Sequence, residues 1–245
     1  MKLKSITADT NQGPLLNINE DNFHQNIEEG LYMVMDGFGG SGIGDVATKK
    51  LQENINHFFA NITADINATL PFFYSAKYLL ESNALINSML SSNEKLYSEN
   101  MTKEFSQRAG ASAVLVSTSD TILNIINVGN CRAYLIRDSS IHKIFSEDSF
   151  NFLSSDTNQS HLKSIPLNAF GLYPDLSYQV KEVRFQEGDK FIFMTDGAYS
   201  NIREEEIKNQ FINENLSSKK RIEKVFELVN KRGNLDNQTC MLLEF

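Results

Sequence analysis

Cysteine is scarce in this sequence, and long apolar runs are missing from it. The two cysteines, Cys131 and Cys240, cannot supply the framework of bridges that staples small secreted domains, so we expect a reduced, cytoplasmic setting. No apolar run approaches the roughly 20 residues that cross a membrane as a helix. The N-terminal stretch MKLKSITADT has no apolar core after its lysines, which argues against a secretory signal there.

Positive charge is also in short supply, since 23 Lys and Arg face 31 Asp and Glu and the net charge is −8. Nucleic acids and anionic membranes are bound through basic patches, so neither is expected as a partner. The 4 histidines follow no ligand spacing such as H-x-x-x-H, and surface or packing roles account for them.

The composition is that of a soluble globular protein, with 41% hydrophobic and 22% charged residues. No repeat or low-complexity linker divides the chain, so we predict one domain over residues 1–245. Short apolar or alternating runs predict the strands, and apolar residues spaced by three and four predict the helices.

The first half of the chain is predicted to hold a strand in 1–10, a loop to about 23, a strand at 31–35, and helices at about 42–63 and from Pro71 to about 100. The second half is predicted to hold a meander of three or four strands from 112 to 145, a mobile surface flap at 146–176 with a short helix near 150–163, strands at 178–185 and 190–195, two helices and a last strand at 238–245. Strands and helices do not alternate, which predicts antiparallel sheets covered by helices in an α+β sandwich.

The most informative stretch is LYMVMDGFGGSGIGDV, which begins at Leu31. An apolar strand leads into Asp36, and a glycine-rich turn then leads into a helix. One interpretation is a tight turn in which Asp36 caps backbone amides. A second is a nucleotide site, because Gly37, Gly39 and Gly42 fit G-x-G-x-x-G. The acid before the first glycine would repel a pyrophosphate, which disfavours that site. A third is a metal site with Asp36 as a ligand.

The metal interpretation gains support from a repeated pattern, because acids stand at the ends of several strands. The segments are MDG at 35–37, TDG at 195–197, LDN at 235–237 and the adjacent acids Glu20 and Asp21. Carboxylates that converge from separate strands repel one another unless a cation is present, and oxygen-only ligands favour Mg²⁺ or Mn²⁺.

These motifs resemble those of the metal-dependent protein phosphatases of the PPM type, also called type 2C. The matching segments run nearly from end to end in the family's order: NED at 19–21, DGFGG at 36–40, AGASAVLV at 109–116, NVGNCRAYLIRD at 127–138, GDKFIFMTDG at 188–197 and LDNQTCMLL at 235–243. The resemblance implies two stacked antiparallel β-sheets flanked by pairs of antiparallel helices.

The resemblance also implies hydrolysis of phosphoserine and phosphothreonine with two Mn²⁺ or Mg²⁺ ions per chain. Asp36 would bridge the ions, and Asp196 and Asp236 would complete one of them. The carbonyl of Gly37, with Glu20 or Asp21 partly through water, would hold the other. A water activated by the metals would attack phosphorus in line, without a phosphoenzyme.

Three positions depart from the family's usual pattern. Leu16 stands where an arginine usually holds the substrate phosphate, Asn130 where an aspartate is associated with a third metal, and Phe38 where His or Met often follows the first Asp-Gly. An active phosphoprotein phosphatase is expected, acting in signalling as a monomer that opposes a serine/threonine kinase. The alternative is a catalytically weak member that binds phosphoproteins or a regulatory partner.

A cysteine-dependent phosphatase is a rival hypothesis, because Cys131 and Arg137 fit C-x5-R. That chemistry needs a loop of backbone amides around the phosphate. The intervening residues RAYLI are typical of a strand, so Cys131 is interpreted as a small packed residue.

Overall fold

The structure is a computed structural model that describes residues 3–39, 42–65, 68–146, 148–154 and 161–245. Its strands, in chain order, are β1 (Ser5–Asn11), β2 (Asn22–Asn26), β3 (Leu31–Gly39), β4 (Ala109–Ser119), β5 (Ile122–Val128), β6 (Arg132–Arg137), β7 (Ser140–Lys143), β8 (Ser149–Ser154), β9 (His161–Pro166), β10 (Gln179–Arg184), β11 (Lys190–Met194) and β12 (Gln238–Glu244). Its α-helices are α1 (Gly44–Ala64), α2 (Leu80–Met101), α3 (Asp196–Tyr199), α4 (Glu204–Phe211) and α5 (Ser218–Lys231), and a 3₁₀ turn covers Phe105–Gln107.

Two five-stranded antiparallel sheets form the centre of the molecule. The first sheet has the order β1-β12-β11-β6-β7, and the second has the order β10-β5-β4-β3-β2. The sheets stack face to face, because one buried cluster draws side chains from both of them. Its members include Tyr32, Val34 and Val114 of the second sheet and Phe191, Phe193 and Met241 of the first.

Helices cover the outer face of each sheet. Leu51 of α1 and Met89 of α2 pack with Met33 of β3 in a second buried cluster. Ile207 of α4 and Val225 of α5 pack with the first sheet in a third. Successive side chains of a strand point to opposite sides of the sheet. Met33 of β3 packs with the helices and Val34 packs with the first sheet, so β3 is buried on both faces. Burial on both faces explains its unbroken apolar run. The predicted α+β fold with stacked sheets between helix pairs is confirmed.

The prediction that the second helix begins near Pro71 is wrong, because α2 begins at Leu80. The segment before it is held in a non-helical course by a buried amide of α2. Asn87 accepts N–H groups from Phe72 at 2.9 Å and Phe73 at 3.2 Å. Backbone groups that would otherwise need a helix are therefore satisfied by a side chain.

The predicted meander is correct in its strands but wrong in its sheet. Strands β4 and β5 belong to the second sheet, whereas β6 and β7 belong to the first. The chain crosses between the sheets after Gly129, which has a φ of +82°. A Cβ there would meet the Ser112 side chain, so glycine suits this crossing on both counts.

Within the predicted flap at 146–176, the short helix near 150–163 is wrong in its described part. Strands β8 and β9 pair with each other as a separate two-stranded sheet. Residues 155–160 lie outside the described residues, as does Gly40 of the DGFGG motif. Strand β2 was not predicted; it begins at Asn22, at the end of the predicted loop, and its sequence NFHQN has one strongly apolar residue and so no alternation to detect.

The edge strand predicted within residues 1–10 is confirmed as β1, which lies at the edge of the first sheet. It pairs antiparallel with β12, so that Ser5 lies opposite Glu244 and Asn11 opposite Gln238. Within the ranges given above, no helix is both long enough and apolar enough to span a bilayer.

Candidate active site

A cleft of about 680 Å³ opens where strand ends of the two sheets meet. Asp36 enters it from β3 of the second sheet, Asp196 lies two residues after the end of β11 of the first sheet, and Asp236 lies two residues before the start of β12. Glu20 also lines the cleft. The structure therefore brings together four of the acids that the sequence singled out, although they are far apart along the chain.

Asp36 is followed by a glycine whose size decides the geometry. A Cβ on Gly37 would lie 2.5 Å from the Glu20 carbonyl oxygen and 2.6 Å from the Gly44 carbonyl oxygen. No larger residue fits there, so the loop that carries Glu20 and the start of α1 can both approach the end of β3. Glu20 Oε1 accepts the N–H of Gly44 at 2.6 Å, which fixes the carboxylate at the positive end of α1.

Asp21 differs from its neighbour Glu20, because it is buried behind the cleft with 9% of its surface exposed. The hydroxyl of Thr195 donates to Asp21 Oδ2 at 2.8 Å. Burial raises the pKa of Asp21 to about 8 even though this hydrogen bond acts in the opposite direction. Asp21 thus adds to the acidic site from below, whereas Glu20 faces the cleft.

Asp196 is held by a chain of polar contacts. Asn130 Nδ2 donates to Asp196 Oδ2 at 3.0 Å, and the hydroxyl of Tyr199 donates to the Asn130 carbonyl at 2.6 Å. The Arg132 guanidinium lies 3.8 Å from the centroid of the Tyr199 ring, a cation–π contact. Asn130 Oδ1 is buried and, among the described residues, makes no hydrogen bond.

The loop before Asp236 is tied to the loop before Glu20 by one side chain. Asn237 Oδ1 accepts the N–H of Glu20 at 2.9 Å, and its Nδ2 donates to the carbonyls of Gln12 at 2.8 Å and Ile18 at 3.1 Å. Asn237 therefore positions two acids that belong to opposite ends of the sequence. The sequence analysis did not single out Asn237, Thr195 or Tyr199, although the first two adjoin the acids of the motifs.

Crowding of these acids changes their protonation. The pKa of Asp36 is raised well above its usual range, first by burial and then by the charges of Asp196, Asp21 and Asp236. The pKa of Asp196 is raised to about 7 by burial and then by Asp236. The contact of the Asp36 carboxyl group with that of Asp196 adds to the rise in the pKa of Asp36. The cluster thus favours either a bound proton or a bound cation.

The donor chemistry of the cleft fits a hard divalent cation, because carboxylate and carbonyl oxygens are the ligands that Mg²⁺ and Mn²⁺ prefer. The groups available are the carboxylates of Glu20, Asp36, Asp196 and Asp236 and the carbonyl of Gly37. In the described part of the chain, no three Asp, Glu, His or Cys side chains already surround one point as ligands. Side-chain rotation is therefore needed to bring them round an ion.

The structure gives Cys131 no role as a nucleophile. Its thiol is buried, and burial followed by the Asp36 charge raises its pKa well above the usual range. The five residues before Arg137 form strand β6 with Arg132 as its first residue. Arg137 instead pairs with Asp189, with 2.6 Å between Nη2 and Oδ2. The C-x5-R spacing therefore arises by chance within a strand and does not mark a phosphate-binding loop.

The described residues that line the cleft include Leu16, as predicted for the loop before the acids, but no Lys or Arg. Arg108 donates to the Lys103 carbonyl at 3.3 Å, and Arg132 stacks on Tyr199. Arg108 is thus bonded away from the cleft, whereas the positive charge of Arg132 acts on Asp196 and opposes the rise in its pKa.

Comparison with known proteins identifies relatives of this chain. The protein phosphatase 2C family matches residues 8–151 of the chain. The serine/threonine phosphatase stp of Listeria welshimeri is 24% identical over 246 residues, covering 96% of this chain and 93% of that protein. The stp of Listeria monocytogenes is 25% identical over 250 residues with the same coverages.

Solved structures share the fold. The PPM Ser-Thr phosphatase MsPP from Mycobacterium smegmatis, in complex with cacodylate, aligns with a TM-score of 0.78 at 18% identity and covers 100% of both chains. The catalytic domain of the phosphatase PstP with two manganese ions aligns with a TM-score of 0.73 at 18% identity, over 98% of this chain and 97% of that one. The family match spans more than half of the sequence, and the chain is a member of the protein phosphatase 2C family.

Proposed function

We propose that the protein hydrolyses phosphoserine and phosphothreonine in proteins at the cleft between its sheets, with two bound Mn²⁺ or Mg²⁺ ions. The observation that carries the proposal is the convergence of Asp36, Asp196 and Asp236 from both sheets on one cleft. Acids whose pKa values are raised by one another need a cation to ionise together. The curated relatives, which are named as serine/threonine phosphatases, support the same reaction.

The residues divide the work as follows. Asp36 would serve both ions, Asp196 and Asp236 would complete the set around one of them, and the Gly37 carbonyl with Glu20 would hold the other. When bound, the ions lower the pKa of a water and neutralise phosphate charge. Asp21 contributes negative charge from behind and holds the hydroxyl of Thr195.

The protein positions the acids and keeps the Cys131 thiol out of the reaction. Asn130 orients Asp196 through a 3.0 Å hydrogen bond, and Glu20 is fixed by the N–H of Gly44. The buried thiol of Cys131 stays neutral beneath Asp36 and takes no part in the attack. The reaction therefore needs no covalent intermediate on the protein.

A phosphate-release assay tests this proposal. The protein is incubated with a phosphothreonine peptide in the presence of Mn²⁺, and the Asp36→Asn variant is compared with Asp120→Asn. Asp120 lies in an exposed turn with a φ of 41°, which asparagine also adopts, so that variant is a matched control. Release by the native chain and the control, with loss in Asp36→Asn, supports the proposal. Phosphopeptide binding without release would favour the alternative, a binding module.

The wider setting follows from the reaction. Phosphoserine and phosphothreonine are made by kinases, so the enzyme opposes a separate serine/threonine kinase in a cytoplasmic signalling system. We propose that it acts as a monomer of one domain over residues 1–245 and that the segment at 146–176 is a flap beside the cleft. Ser164, Ile165 and Leu172 of that segment line the cleft, which supports its role as a flap.

A further inference from the structure

The walls of the cleft differ in chemistry from its acidic floor. Six apolar residues from five separate segments line it, and we call this set the apolar rim: Leu16, Phe38, Ile165, Pro166, Leu172 and Leu235. Leu16 and Leu172 are each 38% exposed and Ile165 is 51% exposed. A folded protein gains little by leaving such side chains at a polar cleft, so exposed apolar surface there indicates contact with a ligand.

No Lys or Arg of the described residues lines the cleft beside the apolar rim, and Arg132, whose charge reaches Asp196, stacks on the Tyr199 ring. The chain carries a net charge of −8. An acidic side chain placed against the rim would lose its hydration without gaining an ion pair. It would also lie beside the carboxylates of the floor, since Leu16 and Glu20 line the same cleft.

The part of the rim that carries Leu172 has a rigid base. Asn93 Oδ1 accepts the Gly171 N–H at 2.9 Å, and its Nδ2 donates to the Tyr173 carbonyl at 3.0 Å. Asn100 Nδ2 donates to the Gly171 carbonyl at 2.9 Å. Both asparagines belong to α2, so the loop is fixed before any substrate arrives and binding loses little entropy in ordering it.

We propose that the enzyme selects phosphorylated segments whose neighbouring side chains are apolar and discriminates against segments with acidic neighbours. The inference rests on the proposed function, because it names the substrates of that same cleft. Ser200 and Asn201 also line the cleft wall, where their polar groups can bond the backbone of such a segment. The apolar rim then contacts the side chains that flank the phosphorylated residue.

Three phosphothreonine peptides test the inference, identical except for flanking residues that are Leu and Val, Asp and Glu, or Lys. With Mn²⁺ present, we expect kcat/KM for the apolar peptide to exceed that for the acidic peptide by roughly tenfold or more, with most of the difference in KM. Equal rates on the two peptides, or the fastest turnover on the acidic or the basic peptide, would overturn the inference.

Charge substitutions on the apolar rim locate the effect. Leu172→Lys and Ile165→Lys each supply an ion partner for acidic neighbours, so the preference for the apolar peptide should fall at least threefold in either variant. Leu80→Lys is the matched control, because Leu80 is 65% exposed and lies at the start of α2 outside the cleft lining. An equal change in the control would mean that overall charge, and not the rim, sets the preference.

Two further measurements separate this inference from the proposed function. Hydrolysis of p-nitrophenyl phosphate, which is too small to span the rim, reports the reaction alone. Calorimetric binding of the apolar and acidic peptides with a non-hydrolysable phosphonate reports the preference without turnover. Activity on the small ester with equal Kd values for the two phosphonates contradicts the inference alone. Tighter binding of the apolar phosphonate without any hydrolysis supports it and contradicts the proposed function.

Discussion

Helix α2 and the catalytic cleft both bury polar side chains, but they do so with opposite electrostatics. Asn83, Asn87, Asn93 and Asn100 of α2 are at most 1% exposed, and all are neutral amides bonded to loops of the protein. The cleft gathers carboxylates whose pKa values are raised by burial and by each other. The helix is therefore satisfied by the chain itself, whereas the cleft needs a partner from outside.

This difference separates structural from functional burial of polar groups. A buried amide has its hydrogen bonds fulfilled by backbone groups, so its net cost is small. A buried carboxylate beside others keeps an unfavourable charge until a proton or cation arrives. Substitutions that turn an acid of the cleft into an amide, or that remove a buried amide of α2, test this distinction.

The largest effect is expected where an acid of the cleft is turned into an amide. Asp236→Asn should lower kcat/KM on a phosphothreonine peptide with Mn²⁺ by about a thousandfold or more, because a metal ligand supplies several kcal/mol of charge stabilisation. Steady-state phosphate release measures it, with Asp120→Asn as the control. If the variant kept a tenth of the native activity, Asp236 would not be a metal ligand of the site.

The second effect is a pH dependence of stability that α2 cannot produce. Burial raises the pKa of Asp21 to about 8 and that of Asp196 to about 7, whereas unfolded aspartates ionise near pH 4. From about pH 4 to about pH 8 the folded protein thus binds more protons than the unfolded chain, so the free energy of unfolding falls as pH rises. In EDTA, we expect the free energy of unfolding to be lower at pH 8 than at pH 5 by several kcal/mol, measured by denaturant unfolding.

Mn²⁺ should reverse that loss. A ligand of the folded state present at a hundred times its Kd contributes about 2.7 kcal/mol, and the melting temperature should rise accordingly. Asp36→Asn should abolish most of this rise. Identical unfolding curves in EDTA and in millimolar Mn²⁺ would contradict a metal site in the cleft.

The third effect belongs to α2. Asn100→Ala removes donors to the Ala109 carbonyl at 2.7 Å and to the Gly171 carbonyl at 2.9 Å and leaves both carbonyls buried. We expect a loss of about 2–3 kcal/mol in the free energy of unfolding that is the same at pH 5 and pH 8. Asn61→Ala, on the exposed side of α1, should change it by less than about 0.5 kcal/mol. A pH-dependent loss would mean that α2 is coupled to the acids.

A smaller effect should follow from adding the cation that the cleft walls lack. Leu16→Arg supplies a bidentate partner for the phosphate, and charge-assisted hydrogen bonds contribute about 1.5–3 kcal/mol each. We expect kcat/KM on small phosphopeptides to rise about ten- to a hundredfold, mainly through KM. Leu15→Arg is the control, because Leu15 is 64% exposed and is not part of the cleft lining. Unchanged kinetics with the fold intact would mean that the phosphate is held some other way.

The smallest effect is expected at Cys131, whose buried thiol is neutral like the buried amides of α2. Cys131→Ser keeps a small side chain that can accept the Asp36 N–H, so activity should stay within about threefold of native. Peptide hydrolysis and a melting curve are measured together. A large loss of activity with an unchanged melting curve would return the thiol to the mechanism.

The sequence predicted the acids of the cleft better than it predicted the scaffold around them. Each of the three acids lies near a strand end beside glycine or asparagine: Asp36, Asp196 and Asp236. This local pattern can be recognised without knowing which strands pair with each other. The start of α2 could not be read in the same way, because Asn87 satisfies the backbone at Phe72 from a distance of 15 residues. A hydrogen bond between residues that far apart leaves no periodic pattern in the sequence.

The crossing between sheets at Gly129 shows the same limit. The segments that became β5 and β6 are both apolar, and nothing local tells which sheet each joins. That choice depends on β11 and β12, which follow much later in the chain. Conversely, the role of Asn237 in joining two loops was detectable, since it adjoins Asp236 and carries both a donor and an acceptor.

The pairing of β1 with β12 has a consequence for biosynthesis. Ser5 meets Glu244 across 239 residues of sequence, so β1 has no partner until β12 has been synthesised. At 5–20 residues per second, that interval is roughly 12–50 s. Asp236 belongs to the same late segment, and a nascent chain that stops before it carries Asp36 without a completed cleft. A chain that lacks Asp236 and β12 therefore lacks one acid of the cleft and the strand that pairs with both β1 and β11.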